Sequence, residues 1–201
     1  MEDRRVQRTR KLLEQALLEL IAEQDYDSIT VRQITDRANM GRATFYLHFT
    51  DKEHLLLTTV QVLQKDLAQR LQPLNRQDLL SEENMLGEKI FQHVAHYQDL
   101  YRVLLGERGA AVVRQRLMEA MTQAAEHYVV HALLEITPEP AIPTSFLASF
   151  LSSTTYTAIK WWLDQPQQPP PAEMGRLIRK LTTPGMLAIL DIDPRQLSSP
   201  S

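Results

Sequence analysis

The chain contains no cysteine. Disulfides and thiolate metal sites are therefore excluded, and the composition suits a reducing compartment. Glycine is scarce, with six in 201 residues. There is no Gly-rich phosphate loop, no GxSxG elbow and no HExxH helix, so the enzyme classes most readable from sequence are set aside. No apolar run reaches membrane-spanning length. The N-terminus is charged from the start and has no signal-peptide core, so a cytoplasmic location and no membrane partner are expected. Period-two alternation is missing, as are internal repeats and any domain-sized linker, which leaves no candidate strand. The apolar fraction of 43% is ordinary for a globular chain. The length allows one large domain, or a small one with a larger one, and suffices to bury a core.

Positive charge is also in short supply overall, for a net charge of −3. It is unevenly placed. Residues 1–50 carry eight Lys/Arg against eight Asp/Glu, and all of the excess acid lies in residues 51–201. Within the first part, RRVQRTRK (Arg4 to Lys11) holds five positive residues and no negative one. Such a cluster is what a phosphate backbone attracts; a solvated helix start accounts for it equally well.

What the chain has in abundance is helical periodicity. Residues 4–24 carry Leu13, Leu17, Leu20 and Ile21 at helical spacing, with Leu12 and Ala16 beside them. DYDSIT has no apolar period and reads as a loop, with Tyr26 and Ile29 packed beneath it. Thr30 and Gln33 form a capping box, opening a short helix with Val31, Ile34 and Ala38 on one face. Asn39 stands where that helix must end, tolerant of left-handed backbone. After Gly41, the next helix carries Arg42 to His48. Thr50 and Glu53 suggest a second capping box for a helix over Asp51–Leu71, with Leu55, Leu56, Val60, Leu63 and Leu67 at three and four. Pro73 ends it. NRQDLLSEEN follows as a polar connector. Further helices are expected over Met85–Leu105 with an interruption near Tyr97–Asp99, over Ala110–Ile136, over Thr144–Asp164, and over Pro171–Leu181, which Thr183–Pro184–Gly185 is expected to break. TPEPAIP and QPQQPPP read as proline-stiffened connectors, and DIDPRQLSSPS as a disordered tail. The fold class is all-α, with roughly nine helices.

Two short helices joined by a turn of this length form a helix-turn-helix, whose second helix enters the major groove in DNA-binding versions. Arg42 suits a guanine edge, Thr44 a base or a phosphate, and small Gly41 and Ala43 permit close approach. Tyr46, His48 and Lys52 are placed for phosphates. These residues, with Thr30 and with Arg4, Arg5 and Arg8, are the candidate DNA contacts.

From about Arg8 to Leu57 the chain resembles the DNA-binding domain of TetR-family transcriptional regulators. TFYLHFTDKEHL, preceded by TVRQI, carries the likeness. The chain departs from the family pattern at Asn39, where glycine is usual, at Thr35, where alanine is usual, and at Gly41, where a capping serine is frequent. The resemblance implies a three-helix DNA-binding domain over 1–50, a six-helix ligand-binding and dimerisation domain over 51–190, and a tail over 191–201. KWWL followed by the Pro-rich connector is similar to the subgroup of dihydroxyacetone-kinase operon activators.

The implied function is a ligand-responsive repressor that binds a palindromic double-stranded operator as a homodimer, with a small-molecule effector. It has no catalytic residues and no cofactor. The alternatives are a helical protein–protein adaptor or coactivator-dependent regulator, and a small helical enzyme for which no catalytic group stands out. His93, Tyr97, Tyr101, Arg102, Met118, Met121, Tyr128, His131, Thr155 and Trp161 are the candidate effector residues, since aromatic and Met side chains with a few polar tips line such pockets. A plain helical core explains any single one of them as well. The spacings His93/His96 and His127/His131, with Glu126 and Asp99 nearby, raise a metal site; chance on a polar face explains them better, and no metal is expected.

Overall fold

The computed structural model describes residues 4–72, 85–107, 110–137, 139–166 and 168–193. Among these residues there are nine helices and no strand. They are α1 (Arg4–Glu23), α2 (Val31–Arg37), α3 (Arg42–Tyr46), α4 (Lys52–Leu71), α5 (Met85–His96), α6 (Gln98–Leu105), α7, α8 (Thr144–Leu163) and α9 (Pro171–Ile189). Helix α7 runs through Ala111–Ala124, a π-helical segment Ala125–Val130 and His131–Leu134 without interruption. The NRQDLLSEEN connector and most of the C-terminal tail lie outside the described residues. Two compact units result: Met1–Lys65 with Asp99–Arg116, and Asp66–Gln98 with Leu117–Ser201.

In the first unit, α1 buries Leu13, Ala16, Leu17, Leu20 and Ile21, the stripe its spacing predicts. Tyr26 and Ile29 are buried in the loop that follows. The capping box of α2 is complete. The Gln33 amide donates to the Thr30 hydroxyl, and the Gln33 side chain accepts from the Thr30 amide. At the other end, Asn39 takes a φ of 52°. The Asn39 amide bonds to Asp36 O and the Met40 amide to Thr35 O, the paired bonds of a Schellman ending. Thr35 is buried, and its hydroxyl is satisfied by donating to the Arg32 carbonyl at 2.9 Å. Arg37 ties α2 to α1 through a forked pair with Glu23 and a longer contact to Glu19.

The start of α4 differs from expectation by one residue. Asp51, not Thr50, is the cap: its carboxylate accepts from the His54 amide at 2.7 Å, and the Thr50 amide donates back to His54 Nδ1. The pair of bonds resembles a capping box, except that the imidazole accepts from the residue before the cap. The backbone bond from His54 holds the Asp51 carboxyl below its ordinary range. In the same unit Gly106 ends α6, where an added Cβ would stand 2.8 Å from the Arg102 carbonyl.

In the second unit α9 lies along α5, and α8 lies against the π segment of α7 and against α9. Phe91 meets Trp162 edge-on at 5.5 Å, and the Trp162 indole donates to the Pro169 carbonyl at 2.8 Å. Helix α9 overturns the expected break at Thr183–Pro184–Gly185, for it continues to Ile189 with Pro184 inside it. Its last turns carry Met186 and Leu187 into a core with Leu190, Ile192, Val130, Leu133, Leu147 and Ala148. Burying such side chains contributes about 1.5–3 kcal/mol each, against roughly 3 kcal/mol for an interior proline, so burial prevails.

Candidate nucleic-acid interface

Helix α3 is short, five residues, and is seated by one side chain. Phe45 is fully buried, with the rings of Tyr46 and Phe49 at 5.4 and 5.8 Å. With Phe45 turned inward, Arg42, Ala43 and Tyr46 are exposed, and Thr44 and His48 are half-exposed. His48 sits in the turn after α3 rather than within it. Gly41 caps the helix through its backbone alone, and an added Cβ there would meet nothing within 4 Å. The fold does not require glycine at that position, and the first turn of α3 is left bare for close approach. Arg4, Arg5 and Arg8 are exposed on the first turns of α1.

Two of the expected contacts are also engaged within the fold. The Lys52 ammonium donates to the carbonyls of Tyr26, Asp27 and Ile29 at 2.8, 3.0 and 2.8 Å. It also lies 4.4 Å from the centroid of the Tyr26 ring, a favourable cation–π arrangement. An ammonium has three N–H donors, and these bonds engage all three within the fold. Thr30 is engaged likewise: its hydroxyl donates to Gln33 Oε1 at 2.9 Å, closing the α2 cap. Sequence reading also missed one exposed residue of this face, Leu47, which is 80% exposed. The available signal was its position two residues after core-facing Phe45.

Two family models match the chain: "Bacterial regulatory proteins, tetR family" over residues 13–59, and "Transcriptional regulator C-terminal region" over residues 84–184. The second alone spans half of the sequence. The chain belongs to the TetR family of regulators. Similar proteins include an uncharacterised HTH-type transcriptional regulator, YxbF, of Bacillus subtilis (strain 168), 53% identical over 60 residues, which cover 29% of this chain and 16% of that protein. The HTH-type transcriptional regulator TcmR of Streptomyces glaucescens is 28% identical over 138 residues, 69% of this chain and 53% of its own. The chain thus spans about half or less of these curated relatives. A TetR transcriptional regulator from Streptococcus agalactiae 2603V has a solved structure that superposes with a TM-score of 0.66 at 28% identity, over 90% of this chain and 96% of that one. This TetR-family chain therefore carries the family's N-terminal helix-turn-helix domain and its C-terminal region. No described helix is long and apolar enough to cross a membrane.

The candidate effector residues of this TetR-family protein are divided between the two units. Tyr101 and Arg102 belong to the first unit, where Tyr101 is buried and Arg102 meets Asp99 at 3.5 Å. In the second unit Tyr97, Met118, Met121, Tyr128 and Thr155 are half-buried, while His131 and Trp161 are exposed. Of the two adjacent tryptophans, α8 turns Trp162 inward and leaves Trp161 49% exposed. His93 is fully buried, with Nδ1 at 3.0 Å from Asp66, whose carboxylate also accepts from Arg70 at 2.6 Å. Burial holds His93 below the ordinary histidine range against the pull of Asp66. The Arg70 hydrogen bond holds Asp66 low. Among the described residues no group of three or more His, Asp or Glu is arranged to hold a metal ion.

Replacing Lys52 by Met keeps the aliphatic stem and removes the ammonium. Denaturant unfolding is expected to show a loss of about 1–3 kcal/mol, the cost of leaving carbonyls without their charged donor. The salt dependence of DNA binding is expected to keep its slope, since no phosphate contact is lost; a shallower slope with unchanged stability would return Lys52 to the phosphates.

Proposed function

We propose that this TetR-family protein is a repressor, that it binds a palindromic operator as a homodimer, and that a small, largely apolar effector releases it. The observation that carries the reading is the outward face of α3, where Arg42, Ala43, Thr44, Tyr46 and His48 surround a helix seated by Phe45 alone. Residues 1–50 serve as the DNA-binding domain, with Arg4, Arg5 and Arg8 on flanking phosphate, and residues 51–190 as the regulatory domain. The adaptor reading gives no reason for an outward α3 face of this chemistry.

One recognition helix reads only a few base pairs, so a useful operator calls for two, related by a two-fold axis. Helices α8 and α9 supply the apolar surface for such pairing. Phe146, Phe150 and Trp161 are 61%, 48% and 49% exposed on α8, and Leu177 and Leu181 are 42% and 79% exposed on α9. Positions 146, 150, 153, 157 and 161 fall on one stripe of α8, where Ser153 and Thr157 allow close crossing.

The effector site is assigned to the second unit, among Tyr97, Met118, Met121, Tyr128 and Thr155, with His93 as a polar anchor. The π segment supports this placement, because it carries Tyr128 and such segments recur at functional sites. Helix α4 contributes residues to both units and is assigned the transmitting role. A hundredfold loss of operator affinity needs a preference of only about 2.7 kcal/mol for the released state.

Gel-shift titration against duplexes selected from a random pool tests the DNA reading. Arg42→Ala is expected to weaken binding by about 1–3 kcal/mol and relax base preference at one position of each half-site; unchanged affinity and preference would sink the assignment. Light scattering tests assembly: the native chain is expected to be a dimer at micromolar concentration, and Phe150→Glu a monomer with weakened operator binding. A monomeric native chain refutes the dimer. For the effector site, Met121→Trp is expected to leave operator binding intact and abolish release by the effector that acts on the native protein. An intact response moves the site elsewhere.

A further inference from the structure

The ridge of α3 that stands furthest from the core is apolar. Leu47 is 80% exposed, the most exposed large apolar side chain among the described residues. Its amide bonds to the Ala43 carbonyl at 3.2 Å, so it continues the α-helical screw beyond Tyr46. At about 100° per residue, Leu47 and Ala43 each lie about 160° from Phe45, which is fully buried. Thr44 and Tyr46 lie about 100° from Phe45, on the two flanks. A helix laid in a groove presents its ridge to the floor and its flanks to the walls. The walls of the major groove are phosphates, which suit the hydroxyls of Thr44 and Tyr46. The floor is made of base edges, and its apolar group is the thymine C5 methyl.

We propose that Leu47, with Ala43 beside it, is a specificity-determining residue that reads thymine methyl groups in each half-site. The inference rests on the operator binding proposed above and adds a statement about operator sequence. The strip is continuous with the DNA-facing side chains of α3 and enclosed by them, which favours base edges over an apolar protein surface as its occupant.

The test uses the full-length chain and duplexes it selects from a random pool. Each thymine of the selected half-site is replaced in turn by deoxyuridine, which removes the methyl group and keeps the base pairing. The native protein is expected to lose about three- to fivefold in affinity at one or two positions, the effect of one buried methyl. Leu47→Ala is expected to bind the thymine duplex more weakly by a similar factor and to be indifferent to deoxyuridine at those positions. Leu47→Val provides a second variant, and thermal melts check that both are folded. The proposal is overturned if the native protein tolerates every replacement, or if Leu47→Ala keeps the native sensitivity. If no sequence is selected from the pool, operator binding itself fails, a result distinct from either.

Discussion

A single ammonium group ties the start of α4 to the loop between α1 and α2 in this TetR-family chain. Lys52 opens α4, yet its three donors reach back to carbonyls 26, 25 and 23 residues earlier, and its charge rests over the Tyr26 ring. The loop between α1 and α2 has only short-range backbone bonds of its own, Ser28 N–H to Asp25 O and Ile29 N–H to Tyr26 O. The clamp adds a charged donor to three of the loop's carbonyls and fixes the first turn of α4 against the loop. Between these anchored points run α2 and α3, and α3 has little of its own to hold it: five residues, a cap without a side chain, and Phe45. The position of α3 therefore depends on what brackets it, the Schellman ending at Asn39 before it and the Lys52 clamp after it.

The second unit is governed by the competition between backbone preference and burial. Pro184 removes one intrahelical hydrogen bond, and the helix continues because Met186 and Leu187 have a core to enter. The neighbouring α8 shows the converse. Its apolar residues exceed what one buried stripe accommodates, so Leu147, Ala148, Ile159, Trp162 and Leu163 go inside and Phe146, Phe150 and Trp161 stay outside. An excess of apolar surface on adjacent helices is what an oligomer interface is made from.

Local chemistry made much of this legible from residues alone. The Thr30–Gln33 box, the left-handed Asn39 and the α1 stripe each involve neighbours within a few positions, and each stands in the structure as expected. The interruption near Tyr97 and the absence of strands among the described residues follow from periodicity in the same way.

The sequence by itself determined the all-α class, the helix-turn-helix and its caps, because those depend on φ/ψ preference and on spacing along one helix. Tertiary structure decided what the polar groups bond to within the fold. Lys52 and Thr30 have the composition of phosphate contacts, and only the folded chain shows their donors directed at Tyr26, Asp27, Ile29 and Gln33. It also decided which of two adjacent tryptophans is core, since a helix presents Trp161 and Trp162 about 100° apart and only the packing against Phe91 selects one. Leu47 belongs with these: its residue type says core, and the seating of Phe45 turns it outward.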